Sequence, residues 1–239
     1  IKNDTLLILE STVYPGATRE IFSSYLKTKF SSKAKVDYGY SSERISPGQT
    51  DKKKYKVRYN DITKVVSANK IYSQKKIKFF YNLIFTKTYL AKNIETAEMS
   101  KLLENSYRAV NIGLVNEFKI ICNNLKINIH NVIDAASTKP FGFTSFSPGP
   151  GVGGHCIPID PMFVKWIAKK NSYDAKFISL AHEYNIKITD WVFNKIFKNL
   201  KNKKKVFNKN IVFIGMAYKE DINDFRESPA VKLFKKFID

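Results

Sequence analysis

The segment Pro140–Pro161, PFGFTSFSPGPGVGGHCIPIDP, holds five of the chain's eight prolines, five of its ten glycines, and the pair Cys156 and Asp160. A thiolate is a strong nucleophile where cationic groups or backbone donors depress its pKa, and flanking glycines let a substrate reach the sulfur unobstructed. The other reading of Cys156 is a small buried hydrophobe, and the sequence leaves both open. So much proline and glycine argues against a regular helix or a central strand. The segment is expected to be an ordered loop or a close backbone approach to a ligand. Gly149, Gly151 and Gly154 also satisfy G-x-G-x-x-G. Pro158 and Pro161 are expected to forbid the helix that a pyrophosphate would need there, so the match is read as fortuitous.

Lys101, Asn105 and Arg108 stand at i, i+4 and i+7 in a long helical pattern and share one face. A lysine and an amide four residues apart present two donors to one developing oxyanion. An ordinary solvated stripe is the alternative, with Glu98 and Glu104 in surface pairs. His130, His155 and His182 lack metal-ligand spacing, so no metal site is expected, and nothing assembles a Ser-His-Asp set. Cys122, beside Ile121 on the apolar side of the same helix, reads as core. Two cysteines are too few for a disulfide framework, which points to a reducing, cytoplasmic setting.

The elements that must position these residues follow from the apolar spacing. Strands at Thr5–Glu10, Val36–Tyr40, Ile62–Ser67 and Lys87–Ala91 alternate with helices at Ala17–Phe30 and Ile71–Ile84. This alternation predicts an α/β layer with a parallel sheet, with ligand loops at Ser11–Gly16 and Ser41–Gly48 beyond the carboxyl ends of its strands. From Asn93 the pattern turns helical: a long segment Glu95–Leu125, then Ile129–Ser137, Pro161–Lys170 and Ala175–Leu200. A basic linker, Lys201–Lys209, precedes an apolar strand at Ile211–Ala217 and a helix from Pro229.

Composition limits the partners. The 239 residues carry 41 Lys and Arg against 21 Asp and Glu, a formal charge of +20 that on its face suggests a polyanion. Only five of the basic residues are arginine, and the lysines are spread over many elements, so nucleic acid is not expected as a partner. The apolar runs fall far short of the roughly 20 residues needed to span a membrane, and no membrane association is expected.

Taken together, the strings ESTVYPGAT (10–18), SSERISPG (41–48), EMSKLLENSYRAVNIGLVNEF (98–118), KPFGF (139–143), SPGPGVGGHCIPIDP (147–161) and GMAYKEDINDFRESP (215–229) resemble the UDP-glucose/GDP-mannose dehydrogenase family. They look most like its bacterial UDP-N-acetylglucosamine 6-dehydrogenases, with UDP-glucose or GDP-mannose as the alternative substrates. The resemblance implies an α/β fold of two Rossmann-like domains, both truncated here, joined by a helical central domain with one long helix. The expected boundaries are 1–92 for the NAD-binding part, 93–200 for the central domain, and 201–239 for a linker and the start of a UDP-binding domain. It implies a cytoplasmic, homodimeric enzyme of surface-polysaccharide biosynthesis that uses NAD for a four-electron oxidation of the sugar C6 alcohol to a carboxylate.

In that scheme Cys156 captures the C6 aldehyde as a thiohemiacetal that is then oxidised to a thioester. Lys101 and Asn105 stabilise oxyanions, Asp160 assists proton transfer, and Glu43 with Thr12 positions the hydrolytic water. Lys101, Asn105, Arg108, Gly153, Gly154 and Lys219 would contact the substrate, and Thr12, Glu43 and Arg226 the cofactor. Ser42 stands where the family usually has proline. The family's dinucleotide fingerprint is expected upstream of Ile1, so the chain is read as a fragment of such an enzyme, inactive by itself; the alternative is an inactive truncated remnant that only dimerises or binds sugar nucleotide weakly.

Overall fold

The structure, a computed structural model, describes residues 5–29, 36–45, 58–201 and 211–238. Parts of three expected segments lie outside these residues: 46–48 of the second ligand loop, Phe30 at the end of the first helix, and most of the basic linker. Strands β1 (Thr5–Leu9), β2 (Val36–Ser41), β3 (Lys64–Ala68) and β4 (Thr88–Leu90) are joined by helices α1 (Ala17–Lys29) and α2 (Ile71–Asn82) and a 3-10 turn at Tyr59–Asp61. Helices α3 (Ile94–Asn124), α4 (Ile129–Ser137), α5 (Cys156–Lys170), α6 (Lys176–Lys201) and α7 (Pro229–Ile238) follow. The chain divides within α3 into two compact units, Ile1–Glu104 and Asn105–Asp239.

In the first unit the four strands form one sheet in the order β1-β2-β3-β4. Successive side chains of a strand point to opposite faces, and β3 shows it. Val65 packs with Tyr38, Tyr40, Ala91, Ile94 and Ala97 on one side, while Val66 packs with Ala68, Ile77, Tyr81 and Phe85 on the other. The sheet is not purely parallel, contrary to the sequence expectation. β1 and β3 run parallel to β2 and β4 respectively, but β2 and β3 are antiparallel, with Gly39 opposite Ala68 and Ser41 opposite Val66. A parallel neighbour needs a long crossover over the sheet face. The register of β2 and β3 brings the chain back beside β2 in the opposite direction.

In the second unit two expectations are corrected. Pro158 and Pro161 do not exclude a helix, because α5 begins at Cys156 and includes both. Pro158 sits in the first turn, where backbone N–H groups have no helical partner, so its missing donor costs nothing there. The helix therefore starts five residues earlier than the apolar spacing suggested, which makes the cysteine its first residue. The rejection of the glycine pattern survives on other grounds, since no strand among the described residues leads into Gly149. The strand expected at Ile211–Ala217 does not form. Val212 and Ile214 are 79% and 93% exposed, and no described strand lies beside them; without a ladder partner an apolar run has no reason to hold the extended form.

Candidate functional site

Thr12, Glu43 and Lys101 lie in the first unit; Asn105, Arg108, Gly153, Gly154, Cys156, Asp160, Lys219 and Arg226 lie in the second. In the first unit, the loop after β1 that carries half-buried Thr12 is tied down by a residue expected at the surface. Glu98 is fully buried, and its carboxylate accepts the backbone N–H groups of Gly16 (2.6 Å) and Thr18 (2.9 Å). These are donors of the first turn of α1, which ordinarily lack partners and attract anions, so a carboxylate of the chain itself fills the place. Gly16 has φ 95°, a conformation that glycine adopts without strain. Burial is the largest influence on Glu98 and lifts its carboxyl above the usual range, against the N–H bonds, which lower it.

Glu43 follows β2, and its oxygens are well supplied with donors. Oε1 accepts the backbone N–H groups of Arg44 and Ile45, both at 2.7 Å. Oε2 accepts from Lys64 Nζ at 3.1 Å and, more weakly, from the Tyr59 hydroxyl at 3.4 Å. Burial alone would raise this carboxyl, but the Ile45 N–H, the Lys64 ammonium and the Arg44 N–H outweigh it, and the group is held below its ordinary value. Ionised, with four directed donors, Glu43 is suited to fixing a donor molecule in place rather than to taking a proton. Arg44 is itself fixed, its Nη1 donating to the Thr63 carbonyl and its Nη2 to Glu104. Glu104 is therefore paired as expected, whereas Glu98 is not a surface residue.

In the second unit the face carrying Asn105 and Arg108 is not a uniform solvated stripe. Asn105 is only 4% exposed and donates through Nδ2 to Asp160 Oδ2 at 2.5 Å, while Arg108 is exposed. Asp160 is equally buried and lies four residues after Cys156, one turn along α5. Cys156 is exposed, unlike Cys122, which is buried as expected. A thiol at the first residue of a helix faces the positive end of the helix dipole, and the Arg226 guanidinium lies within electrostatic reach of it. The exposure of Cys156 sets aside the reading of it as a small buried hydrophobe.

The glycine segment is an ordered loop, and its close approach is to the chain itself. A Cβ on Gly153 would lie 2.6 Å from Tyr218 Cβ and 2.8 Å from Pro229 Cδ; one on Gly154 would lie 2.7 Å from the Tyr218 ring. Gly154 N–H also donates to the Arg226 carbonyl, and Asn116, 1% exposed, accepts the Gly149 N–H at 2.9 Å. The loop is thus fixed between α3 and the segment 218–229. That segment holds half-buried Lys219 and exposed Arg226, whose Nε and Nη2 both bind Asp224. This hydrogen bonding draws the Asp224 carboxyl down to about 2. A cavity of about 290 Å³ in the same unit is lined by Ser106, Val110, Pro158 and Asn185, but neither Cys156 nor Asp160 opens into it.

Sequence reasoning missed Glu98 as an anchor, Lys64 as a buried cation and Asn116 as a loop clamp. Their partners are 82, 21 and 33 residues away in the chain, so local spacing carried no signal for them. Among the described residues no group of three or more His, Cys, Asp and Glu gathers as metal ligands do, and no helix is long and apolar enough to cross a membrane.

Residues 95–187 match the central-domain model of the UDP-glucose/GDP-mannose dehydrogenase family. The whole chain is 38% identical over 239 residues to a UDP-N-acetyl-D-mannosamine dehydrogenase of Methanocaldococcus jannaschii, of which it covers 52%. Over 99% of its length it is 34% identical to a UDP-N-acetyl-D-glucosamine 6-dehydrogenase of Pseudomonas aeruginosa, covering 55% of it. Among solved structures, a UDP-D-ManNAc dehydrogenase from Pyrococcus horikoshii superposes with a TM-score of 0.86 at 26% identity, over 100% of this chain and 55% of that one. The chain spans about half the length of the curated relatives it matches.

Proposed function

Because the chain belongs, through the central domain at residues 95–187, to the UDP-glucose/GDP-mannose dehydrogenase family, we propose that it is part of a 6-dehydrogenase that oxidises a UDP-N-acetylhexosamine to the uronic acid. The observation that carries this reading is Cys156: an exposed thiol at the first residue of α5, one turn before a buried carboxylate hydrogen-bonded to Asn105. A nucleophile with that surrounding suits capture of an aldehyde. Its relatives are named for both the mannosamine and the glucosamine epimer, so the reading extends to the N-acetylhexosamine class.

The proposed work of the residues follows from their chemistry. The Cys156 thiolate adds to the C6 aldehyde; its sulfur–carbon bond forms as the carbonyl pair moves to oxygen, giving a thiohemiacetal. Asn105 and, one turn earlier on the same helix, Lys101 supply donors for the alkoxide. Removal of a hydride leaves a thioester, and water then cleaves the carbon–sulfur bond, returning the thiol and releasing the carboxylate. Asp160 holds the Asn105 amide and accepts or returns protons during these steps, while ionised Glu43 with Thr12 orients the water.

The family implies NAD as the oxidant, and the donor chemistry present is compatible with it. The Arg226 side chain is 65% exposed, and its planar guanidinium suits a pyrophosphate even while it binds Asp224. Thr12 lies in the loop beyond the carboxyl end of β1, where nucleotides bind in sheets of this kind. NAD, when bound, accepts the hydride in each oxidation. Arg108, Gly153, Gly154 and Lys219 are kept as substrate contacts, and the boundaries 1–92, 93–200 and 201–239 as the domain plan.

Homodimerisation through α3 is part of the same reading. Tyr107, Leu114, Phe118, Ile121 and Leu125 recur at helical spacing on it and are each 46% exposed or more, an apolar row that a second copy would cover. The direct test of function uses the complete polypeptide with NAD and each UDP-N-acetylhexosamine epimer. Wild type should form the uronic acid, and Cys156→Ser should lose acid formation by at least about 1000-fold. Acid formation by the serine variant at the wild-type rate refutes the thioester role.

A further inference from the structure

Among the described residues of the first unit Lys64 is the most buried cation, with 3% of its side chain exposed, and local sequence gives it no role. It sits at the first residue of β3. The antiparallel pairing of β3 with β2 places Ser41 opposite Val66, so two further steps bring Glu43 opposite Lys64. The ammonium meets Glu43 Oε2 at 3.1 Å and, on its other side, Glu10 Oε1 at 3.1 Å, just past β1. Tyr81 of α2 donates its hydroxyl to the same Glu10 oxygen at 2.6 Å, and the rings of Tyr81 and Phe85 both lie 5.3 Å from Nζ. One cation therefore joins the carboxyl ends of β1 and β2, and aromatic faces shield it from solvent.

We propose that Lys64 is a positioning residue: it fixes the orientation of the Glu43 carboxylate and occupies one of its acceptor directions, so that Glu43 presents its remaining acceptor to a water. The proposal rests on the reading of Glu43 as the residue that orients the hydrolytic water. The occupancy of its oxygens supports it. Oε1 is filled by two backbone N–H groups at 2.7 Å, and Lys64 takes one direction of Oε2, which among the described residues leaves the direction now used by the distant Tyr59 hydroxyl. A water competing with a 3.4 Å contact has a place to enter; one competing with Lys64 does not. Among the described residues, the other charged or titratable groups around Glu43 are Arg44, which is held by Glu104 and the Thr63 carbonyl, together with Tyr59, Glu10 and Tyr81. Lys64 is the one among them whose cation is directed at the Glu43 carboxylate.

The test is Lys64→Met and Lys64→Arg in the complete polypeptide, read in two ways. Carbon-13 NMR of the Glu43 carboxyl follows its titration without any turnover. Steady-state kinetics follow acid formation against pH. In Lys64→Met the Glu43 titration should move upward by about one unit, a tenfold gain in proton affinity. The acidic limb of the kcat profile should move with it, kcat should fall at least tenfold and KM for the sugar nucleotide should change less than twofold; Lys64→Arg should recover most of both. A Glu43 titration and acidic limb unmoved in a folded Lys64→Met protein overturn the proposal. A moved titration in a protein that makes no uronic acid from any UDP-sugar supports the positioning role and refutes the functional reading. If Lys64→Met does not fold, Glu10→Gln serves instead. It gives Lys64 wholly to Glu43 and should move that titration downward, and no movement there overturns the proposal.

Discussion

Glutamine in place of Glu98 asks whether a buried carboxylate holds the loop that carries Thr12. Each carboxylate oxygen of Glu98 accepts one backbone N–H, and the side chain has no solvent exposure. Glutamine keeps the shape and one acceptor, but it turns an amide NH2 toward the second backbone donor. Losing a hydrogen bond to a charged acceptor costs about 1.5–3 kcal/mol, and a buried donor left unpaired adds about 1–3 kcal/mol. Against this, glutamine has no charge to desolvate, and burial is the main influence holding the Glu98 carboxyl above its ordinary value. Returning about 1–2 kcal/mol for that relief leaves a net loss of about 2 kcal/mol at neutral pH.

Hydrogen exchange of the Gly16 and Thr18 amides should then quicken by roughly 30-fold, and the thermal midpoint should fall by about 4–8 °C. The pH dependence gives an independent sign. A carboxyl whose pKa is raised on folding binds its proton more tightly in the native state, so its contribution is full below the ordinary value of 4.5 and is lost as pH rises through the raised one. Glutamine does not titrate, so the stability gap between wild type and variant should narrow as pH rises above 4.5. A variant as stable as wild type with unchanged protection at Gly16 and Thr18, or a gap that widens with pH, refutes the anchoring argument.

Two other outcomes follow from the second unit. Gly153→Ala puts a methyl within 3 Å of Tyr218, Pro229 and the Glu227 carbonyl, and should cost about 1–3 kcal/mol in urea unfolding, with faster proteolysis around 218–229; unchanged stability would show that the loop is not packed as described. Leu114→Lys with Phe118→Lys should convert a dimer to a monomer in analytical ultracentrifugation of the complete polypeptide, and a dimer that persists would place the interface elsewhere.

Much of the local structure was legible from spacing. Lys101 and Asn105 had to share a helix face because the apolar residues around them repeat at helical intervals, and the strand and helix order of the first unit followed from the same periodicity. The composition of the Pro140–Pro161 segment drew attention to Cys156 and Asp160. What failed, failed where a local rule met a tertiary partner. Pro158 and Pro161 argue locally against a helix at Cys156, yet the first turn tolerates Pro158 and α5 continues through Pro161. An apolar run at Ile211–Ala217 promised a strand, but a strand requires a neighbour. Glu98 looked like a surface charge until the first turn of α1 supplied two donors for it.

The sequence by itself determined which residues sit on one helix face, which runs are apolar enough to form a sheet, and where a thiol lies among glycines, because those properties depend on neighbours within a few positions. Only the tertiary structure decided the direction of β3. Strand direction depends on where the chain re-enters the sheet, which no local pattern records. Had β3 run parallel to β2, Lys64 would begin at the opposite end of the sheet from Glu43. Running antiparallel, it delivers its buried ammonium to that carboxylate and to Glu10, and so joins the Ile45 and Arg44 N–H groups in holding the Glu43 carboxyl below its ordinary value.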